Sequence, residues 1–348
     1  RLLAGLDEVE RVLLVTSERE WAQTQPDLPV TWEFDPPDPP FHFGRRLAGL
    51  IERHRLERVL YAGAGSLPLL PAAELAGAVC PLCAAAAPLA VTNNLYSSDW
   101  IAFNHAADAR PHLADLTSDN PLGWRLQEQA GFEVRPLPAA AATRFDLDTP
   151  ADILALALQP VAVAPSDGAP GPALHAAARQ FAAHYPQALA RLQAAGRALF
   201  CPGAQVVLAG RVSSAVWAHV ERHTQVYIRV FSEERGMAAS GRQGRGLARS
   251  LLAELLQRVG EDEFFALLAE MADAVFLDTR VLLAHHRVWP DIADRYASDL
   301  GLHEEIADPL LRRLTRAATA APVPVVSGGH GVVAGDLYAL LRAADLLK

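Results

Sequence analysis

Val59-Leu60-Tyr61-Ala62-Gly63 is a short apolar run that closes on the turn Gly63-Ala64-Gly65-Ser66-Leu67-Pro68. An uninterrupted run of this length, ended by glycine and proline, fits a strand buried on both faces, as in a parallel sheet. Upstream, Phe43 to His54 reads as a helix, and before it Val12-Leu13-Leu14-Val15-Thr16 repeats the strand pattern, with a polar helix start at Ser17. Downstream, past a helical stretch, Leu89-Ala90-Val91-Thr92-Asn93 gives a third strand and Phe132-Glu133-Val134-Arg135 a fourth. Strands alternating with helices predict an α/β unit with a mostly parallel sheet. Arg1 to Leu6 reads as part of an amphipathic helix. Pro26 to Pro40, rich in proline and acids, reads as a surface loop, because proline removes donors and restrains its neighbour.

The same alternation resumes further on. Gln159 to Pro172 carries four prolines among small and polar residues, a linker composition. The expected organisation is a first domain over 1–158, a linker over 159–172 and a second α/β domain over 173–348. In the latter, a helical stretch from Leu174 to Leu199 precedes strand-like runs at Gln205 to Ala209, Val226 to Phe231, Ala274 to Leu277 and Val323 to Val326.

Composition limits the function. A net charge of −9 argues against a general nucleic-acid binder, which needs a basic face. No apolar run reaches the roughly 18 residues of a membrane span. Three cysteines give no disulfide framework, no signal-peptide pattern follows Arg1, and the expected location is cytoplasmic. Cys80-Pro81-Leu82-Cys83 has the spacing of a metal or redox pair, but no second pair completes it. Its apolar flanks predict burial.

The most specific segment is Arg144-Phe145-Asp146-Leu147-Asp148-Thr149-Pro150-Ala151-Asp152-Ile153-Leu154. A polar cap, a proline at the first helical position and an acidic first turn make a strong helix start, and capping alone would explain it. The segment also resembles the D-x-D-T-P-x-D-L element of nucleotidyltransferases of the GT-A fold, among them the molybdenum-cofactor guanylyltransferases and phospholactate guanylyltransferases. Phe43 to Leu50 is similar to their G-P-L-x-G-L helix start, Val59 to Pro71 to their strand ending in an acidic-x-proline turn, and Asp119-Asn120 stands where they carry an acidic loop. The resemblance covers residues 1–158.

It implies a Rossmann-like GT-A domain that joins a nucleoside triphosphate to a phosphorylated acceptor, with Mg2+ neutralising the phosphates. Asp146 and Asp148 would be the catalytic acids, with Asp148 on the metal. The other metal-binding acid is replaced by Ser66, a poor ligand for a hard cation, so Asp99 or Asp119 would have to substitute. The family's Gly-rich loop would precede Arg1. A domain that binds a nucleotide or phosphosugar without transfer, serving the C-terminal domain, is the alternative.

Other strand ends carry polar clusters. Gly63, Gly65 and Ser66 fit either phosphate contact or a plain turn. Asn93 and Asn94, within Thr92 to Trp100, fit either base or sugar recognition or Asx turns. Asp119 and Asn120 complete the expected nucleotide set. In the second half, Arg235, Arg242 and Arg245 follow a strand and fit anion binding or solvated loop charge. Gly328, Gly329 and His330 follow another, where His330 is a general base or an incidental turn residue. Asp278 closes a third, and with His330 it would suit a hydrolase or isomerase. The expected partner is a nucleotide or phosphorylated small molecule, with neither nucleic acid nor membrane.

Overall fold

The computed structural model describes residues 3–160 and 171–347. By contact the chain divides into two units, one covering the described residues up to Thr143 and the other those from Arg144 onward. Most of the linker suggested by composition, residues 161–170, lies outside the described residues.

In the first unit, β1 (Leu13–Thr16) and β2 (Thr31–Phe34) pair in parallel as a two-stranded sheet. β2 falls inside the stretch expected to be a loop. Thr31-Trp32-Glu33-Phe34 is a β-branched and aromatic alternation bounded by prolines, and its period of two prevails locally. Trp32 and Phe34 lie ring to ring with centroids 6.3 Å apart. Glu33 is buried and receives Arg46 at 3.2 Å, Arg53 at 2.7 Å and His54 at 2.7 Å, all from the helix Phe43–His54. Burial pushes the Glu33 carboxyl up, but His54 and the two arginines outweigh it and hold the pKa below its ordinary value. At the chain start, Leu3–Gly5 forms a single 3-10 turn instead of the expected amphipathic helix. No side-chain cap stabilises it, and Gly5 disfavours continuation.

β3 (Val59–Ala62), β4 (Leu89–Thr92), β5 (Trp100–Phe103) and β6 (Glu133–Pro136) form a second sheet in the order β3-β5-β4-β6. β5 runs antiparallel to both neighbours, whereas β4 and β6 are parallel. Alternate residues of β5 serve opposite faces. Ile101 and Phe103 pack with Leu47, Ile51, Leu122 and Leu126, while Trp100 and Ala102 pack with Leu75, Val79 and Leu82. Fully burying a large apolar side chain such as Phe103 contributes roughly 1.5–3 kcal/mol.

The helix Ala72–Ala84 turns Leu75, Val79 and Leu82 inward, spaced four and three residues apart. Cys80 and Cys83 therefore fall on its outer face and are exposed thiols, contrary to the burial expected from their apolar flanks.

The second unit is built on β7 (Gln205–Gly210), β8 (Tyr227–Ser232), β9 (Ala274–Asp278) and β10 (Val325–Gly328), in the order β10-β9-β7-β8 and parallel throughout. Across the two units the sheets are mostly parallel, and the fold class is α/β. The long helix expected from Leu174 to Leu199 is two helices, Pro172–His184 and Pro186–Ala198, because Pro186 brings no N–H and Tyr185 before it leaves the helical region. The helix Pro150–Ala157 belongs to this second unit. Gln159 Nε2 donates to the Ala339 carbonyl at 3.0 Å, Tyr296 Oη to the Asp148 carbonyl at 3.0 Å, and a β-carbon on Gly335 would stand 2.5 Å from the Arg144 carbonyl oxygen. These contacts put the unit boundary at 143/144, ahead of the composition-based one. No helix among the described residues is long and apolar enough to cross a membrane.

Candidate functional site

In the first unit the carboxyl ends of β3 and β4 and the amino end of β5 lie at the same edge of the sheet, because β5 is antiparallel. That edge gathers the residues expected to contact a nucleotide. The Gly63 N–H donates to the Asp99 carbonyl at 2.9 Å, and Ser66 Oγ donates back to the Gly63 carbonyl at 2.8 Å, with Gly65 in the turn between them. Tyr61 Oη donates to Asp119 Oδ2 at 2.7 Å, and burial followed by Asp119 as acceptor raises the phenol pKa, so Tyr61 stays a donor.

Asn93 is buried and crosses the β4–β5 turn: Nδ2 donates to Asp99 Oδ2 at 2.5 Å, and Oδ1 accepts from the N–H groups of Asp99 at 3.1 Å and Trp100 at 3.3 Å. It is a turn-holding amide. Asn94 accepts from Tyr96 N–H at 3.3 Å, and Ser97 Oγ donates to Asn120 Oδ1 at 2.8 Å. Four separated stretches thus close into one polar rim, with Asn120 and Tyr96 exposed on it.

Asp146 and Asp148 lie in the other unit. The N–H groups of Asp148 and Thr149 donate to Asp152 Oδ2 at 2.9 and 2.6 Å, which is the helix-capping arrangement that the local sequence allowed. The Asp148 carboxylate is exposed and that of Asp146 half-buried. Among the described residues no three acidic, imidazole or thiol groups converge as a metal site. Asp148, expected from the resemblance to hold Mg2+, is thus an exposed carboxylate outside any such group.

Behind Asp148 is a group of acids that sequence reasoning missed. Asp152 and Asp336 are each 1% exposed and lie within hydrogen-bonding reach of one another. Burial, opposed by the N–H groups it accepts, lifts Asp152 to about 6, and burial with the Asp152 charge raises Asp336 well above the carboxylate range. Each carboxyl in this relation disfavours ionisation of the other. Asp299 is also buried, with Oδ2 on Arg280 Nη2 at 2.7 Å, and burial lifts it to about 6 despite that partner. A β-carbon at Gly331 would collide with Asp152 Oδ1, so the glycine makes room for the acid pair. Gly335-Asp336 reads locally as an ordinary acidic first helical turn, and no spacing in the sequence ties it to Asp152.

At the carboxyl ends of the second sheet, Asp278 is fully buried and accepts from Arg211 Nε at 2.5 Å, Arg211 Nη2 at 3.1 Å and the Arg280 N–H at 3.0 Å. Burial pushes its carboxyl up, but Arg211 prevails and holds it below the usual range. His330 Nε2 lies 3.2 Å from the Arg211 carbonyl oxygen. Asp278 and His330 thus meet through Arg211 and not as a directly bonded pair. Gly210, at φ +115°, brings β7 against β9 there: a β-carbon on it would stand 2.5 Å from Asp278 Cβ.

Arg242 and Arg245 do not join this group, since Arg242 is held by Glu234 at 2.5 Å and Arg245 by the Gly241 carbonyl at 3.2 Å. Arg211 was legible by the same strand-end logic as Asp278 and His330, because it directly follows the run 205–210. Comparison of the chain with protein-family models, curated proteins and solved structures gives no match.

Proposed function

We propose that the chain binds a nucleoside triphosphate on its first unit and transfers the nucleotidyl group to a phosphorylated small-molecule acceptor. The observation that carries this reading is the convergence of 63–66, 93–94, 97–99 and 119–120 on one edge of the β3-β5-β4-β6 sheet. Strand ends of α/β sheets are where ligands bind, because backbone and short polar side chains turn outward there. Ser97, Asn120 and the Gly63-to-Ser66 turn would contact base and sugar. Asp119, oriented by Tyr61, would accept from a ligand hydroxyl. Mg2+ brought in with the phosphates would neutralise charge there.

A second reading, binding without transfer, is favoured by Ser66: in the resemblance it replaces the metal-binding acid, and its hydroxyl is turned onto the Gly63 carbonyl.

One experiment separates the two readings. Melting temperature is measured with each of the common nucleoside triphosphates, with and without magnesium, and pyrophosphate release is then assayed with sugar phosphates as acceptors. A ligand at a hundred times its Kd adds about 2.7 kcal/mol of stability. Stabilisation with pyrophosphate release supports transfer. Stabilisation without release selects the binding reading, and no stabilisation by any triphosphate sinks both.

A further inference from the structure

All four strands of the second sheet lead into charged or glycine-rich residues at one edge: Gly210 at the end of β7 with Arg211 next, Glu234-Arg235 after β8, Asp278 at the end of β9, and Gly328 at the end of β10 followed by Gly329-His330. The order β10-β9-β7-β8 has its topological switch point between β7 and β9. From β7 the chain steps to β8 on one side and later returns to β9 on the other. Crevices outside such switch points are the general ligand position in open parallel sheets, since the two loops there diverge. Arg211, Asp278 and His330 occupy this one.

The polar groups around it are unequally satisfied. Asp278 is saturated by Arg211 and the Arg280 N–H. Arg235 is exposed and has no hydrogen-bond partner among the described residues, while its neighbour Glu234 is engaged by Arg242 and the Arg249 N–H. The Arg211 carbonyl can only accept, so the proton of neutral His330 must sit on Nε2, which leaves Nδ1 an unoccupied acceptor. His330 is exposed, and its imidazole pKa is lowered by partial loss of hydration and then by the Arg211 charge, with Arg235 acting in the same direction and Asp278 against it. The helix Ser214–His223, capped by Ser213, begins four residues after β7 ends and adds the positive end of its dipole.

We infer that this strand-end crevice is a second small-molecule site, which binds a phosphomonoester by its phosphate at Arg235 and Arg211 and by a hydroxyl at His330 Nδ1. The phosphate supplies the charge that an exposed, unpartnered guanidinium fork matches, and the hydroxyl supplies the donor that a neutral imidazole lacks. The site lies wholly within the second unit and is independent of the nucleotide reading for the first.

The test uses the full chain with 13C-labelled histidine, and the ring signal of His330 is assigned by its loss in His330→Gln. Glycerol 3-phosphate and inorganic phosphate are titrated against sodium chloride of equal ionic strength. The expected result is a saturable shift of the His330 signal with both phosphates and none with chloride. Arg235→Gln, at an exposed and unpaired position, should weaken both about tenfold, the equivalent of one charge-assisted hydrogen bond. Arg258→Gln, another exposed arginine, should change nothing. A shift that chloride reproduces, that persists unchanged in Arg235→Gln, or that never saturates overturns the proposal.

Discussion

The two units solve the same problem, polar residues crowded at strand ends, with different chemistry. In the first, neutral amide and hydroxyl donors close the turns around β4 and β5, from Asn93, Ser97 and Ser98 onto Asp99, Asn120 and backbone carbonyls. In the second, carboxylates and guanidinium groups are buried together. There Asp299 leaves a buried oxygen without a hydrogen-bond partner among the described residues, and Asp152 and Asp336 are buried acid against acid. Neutral donors hold their geometry at any ordinary pH, whereas buried acids tie the fold to their protonation. The first rim should therefore respond to mutation in the same way at pH 6 and pH 8, and the second should not.

The harshest way to break the comparison is to strand a buried charge. Arg280→Ala leaves Asp299 without its 2.7 Å partner, and removing one member of a buried pair costs about 3–5 kcal/mol. Urea unfolding should show that loss at pH 7.5 and a smaller one at pH 5, where Asp299 protonates. Next comes the neutral counterpart. Asn93→Ala removes four hydrogen bonds from a buried turn, and the three shorter ones at about 1 kcal/mol each give a loss of roughly 3 kcal/mol. Its cost should be equal at pH 6 and pH 8, by the same measurement.

Asp336→Asn sharpens the contrast in the opposite direction. The raised pKa values of Asp152 and Asp336 mean that the folded state holds protons more tightly than the unfolded chain. The contribution of this pair is complete below the unfolded carboxylate value near 4 and is lost as pH rises through about 6. An amide at 336 donates to Asp152 without needing that proton. The variant should gain about 2 kcal/mol at pH 8 and nothing at pH 4.5, which flattens the stability profile. A profile unchanged from the parent chain would show that neither carboxyl disfavours ionisation of the other. The smallest effect belongs to Tyr61→Phe, which removes one bond to Asp119 and should cost about 1 kcal/mol or less. In nucleotide titrations it should weaken binding only if Asp119 orientation matters.

Elements with a strong local pattern were legible in the sequence. The helix Phe43–His54 and the strands 59–62, 89–92 and 205–210 follow from apolar periodicity and turn residues alone. β2 was hidden by its flanking prolines, and β5 by the polar run that feeds it, because Trp100 reads equally as the end of that cluster. The capping role of Asp152 was visible as chemistry of neighbours. Its partnership with Asp336 was not, since packing brings together residues that no local spacing connects. The expected nucleotide residues do share one sheet edge, and so do Arg235, Asp278 and His330. Asp146 and Asp148 fall instead with the second unit, because the contacts of 144–159 are made by side chains and carbonyls far along the chain.

The short β4–β5 connection has a kinetic consequence. Among the described residues, β4 and β5 are the only strands that are consecutive in the chain and antiparallel, joined by residues 93–99. Hairpins form in microseconds, but parallel pairing must first close a long crossover loop. The first unit therefore carries a local nucleus, with Asn93 as its clasp, while every strand pair of the second depends on distant segments finding each other. A chain emerging from its N-terminus would organise the β4–β5 turn long before the acid cluster and the phosphate crevice could exist.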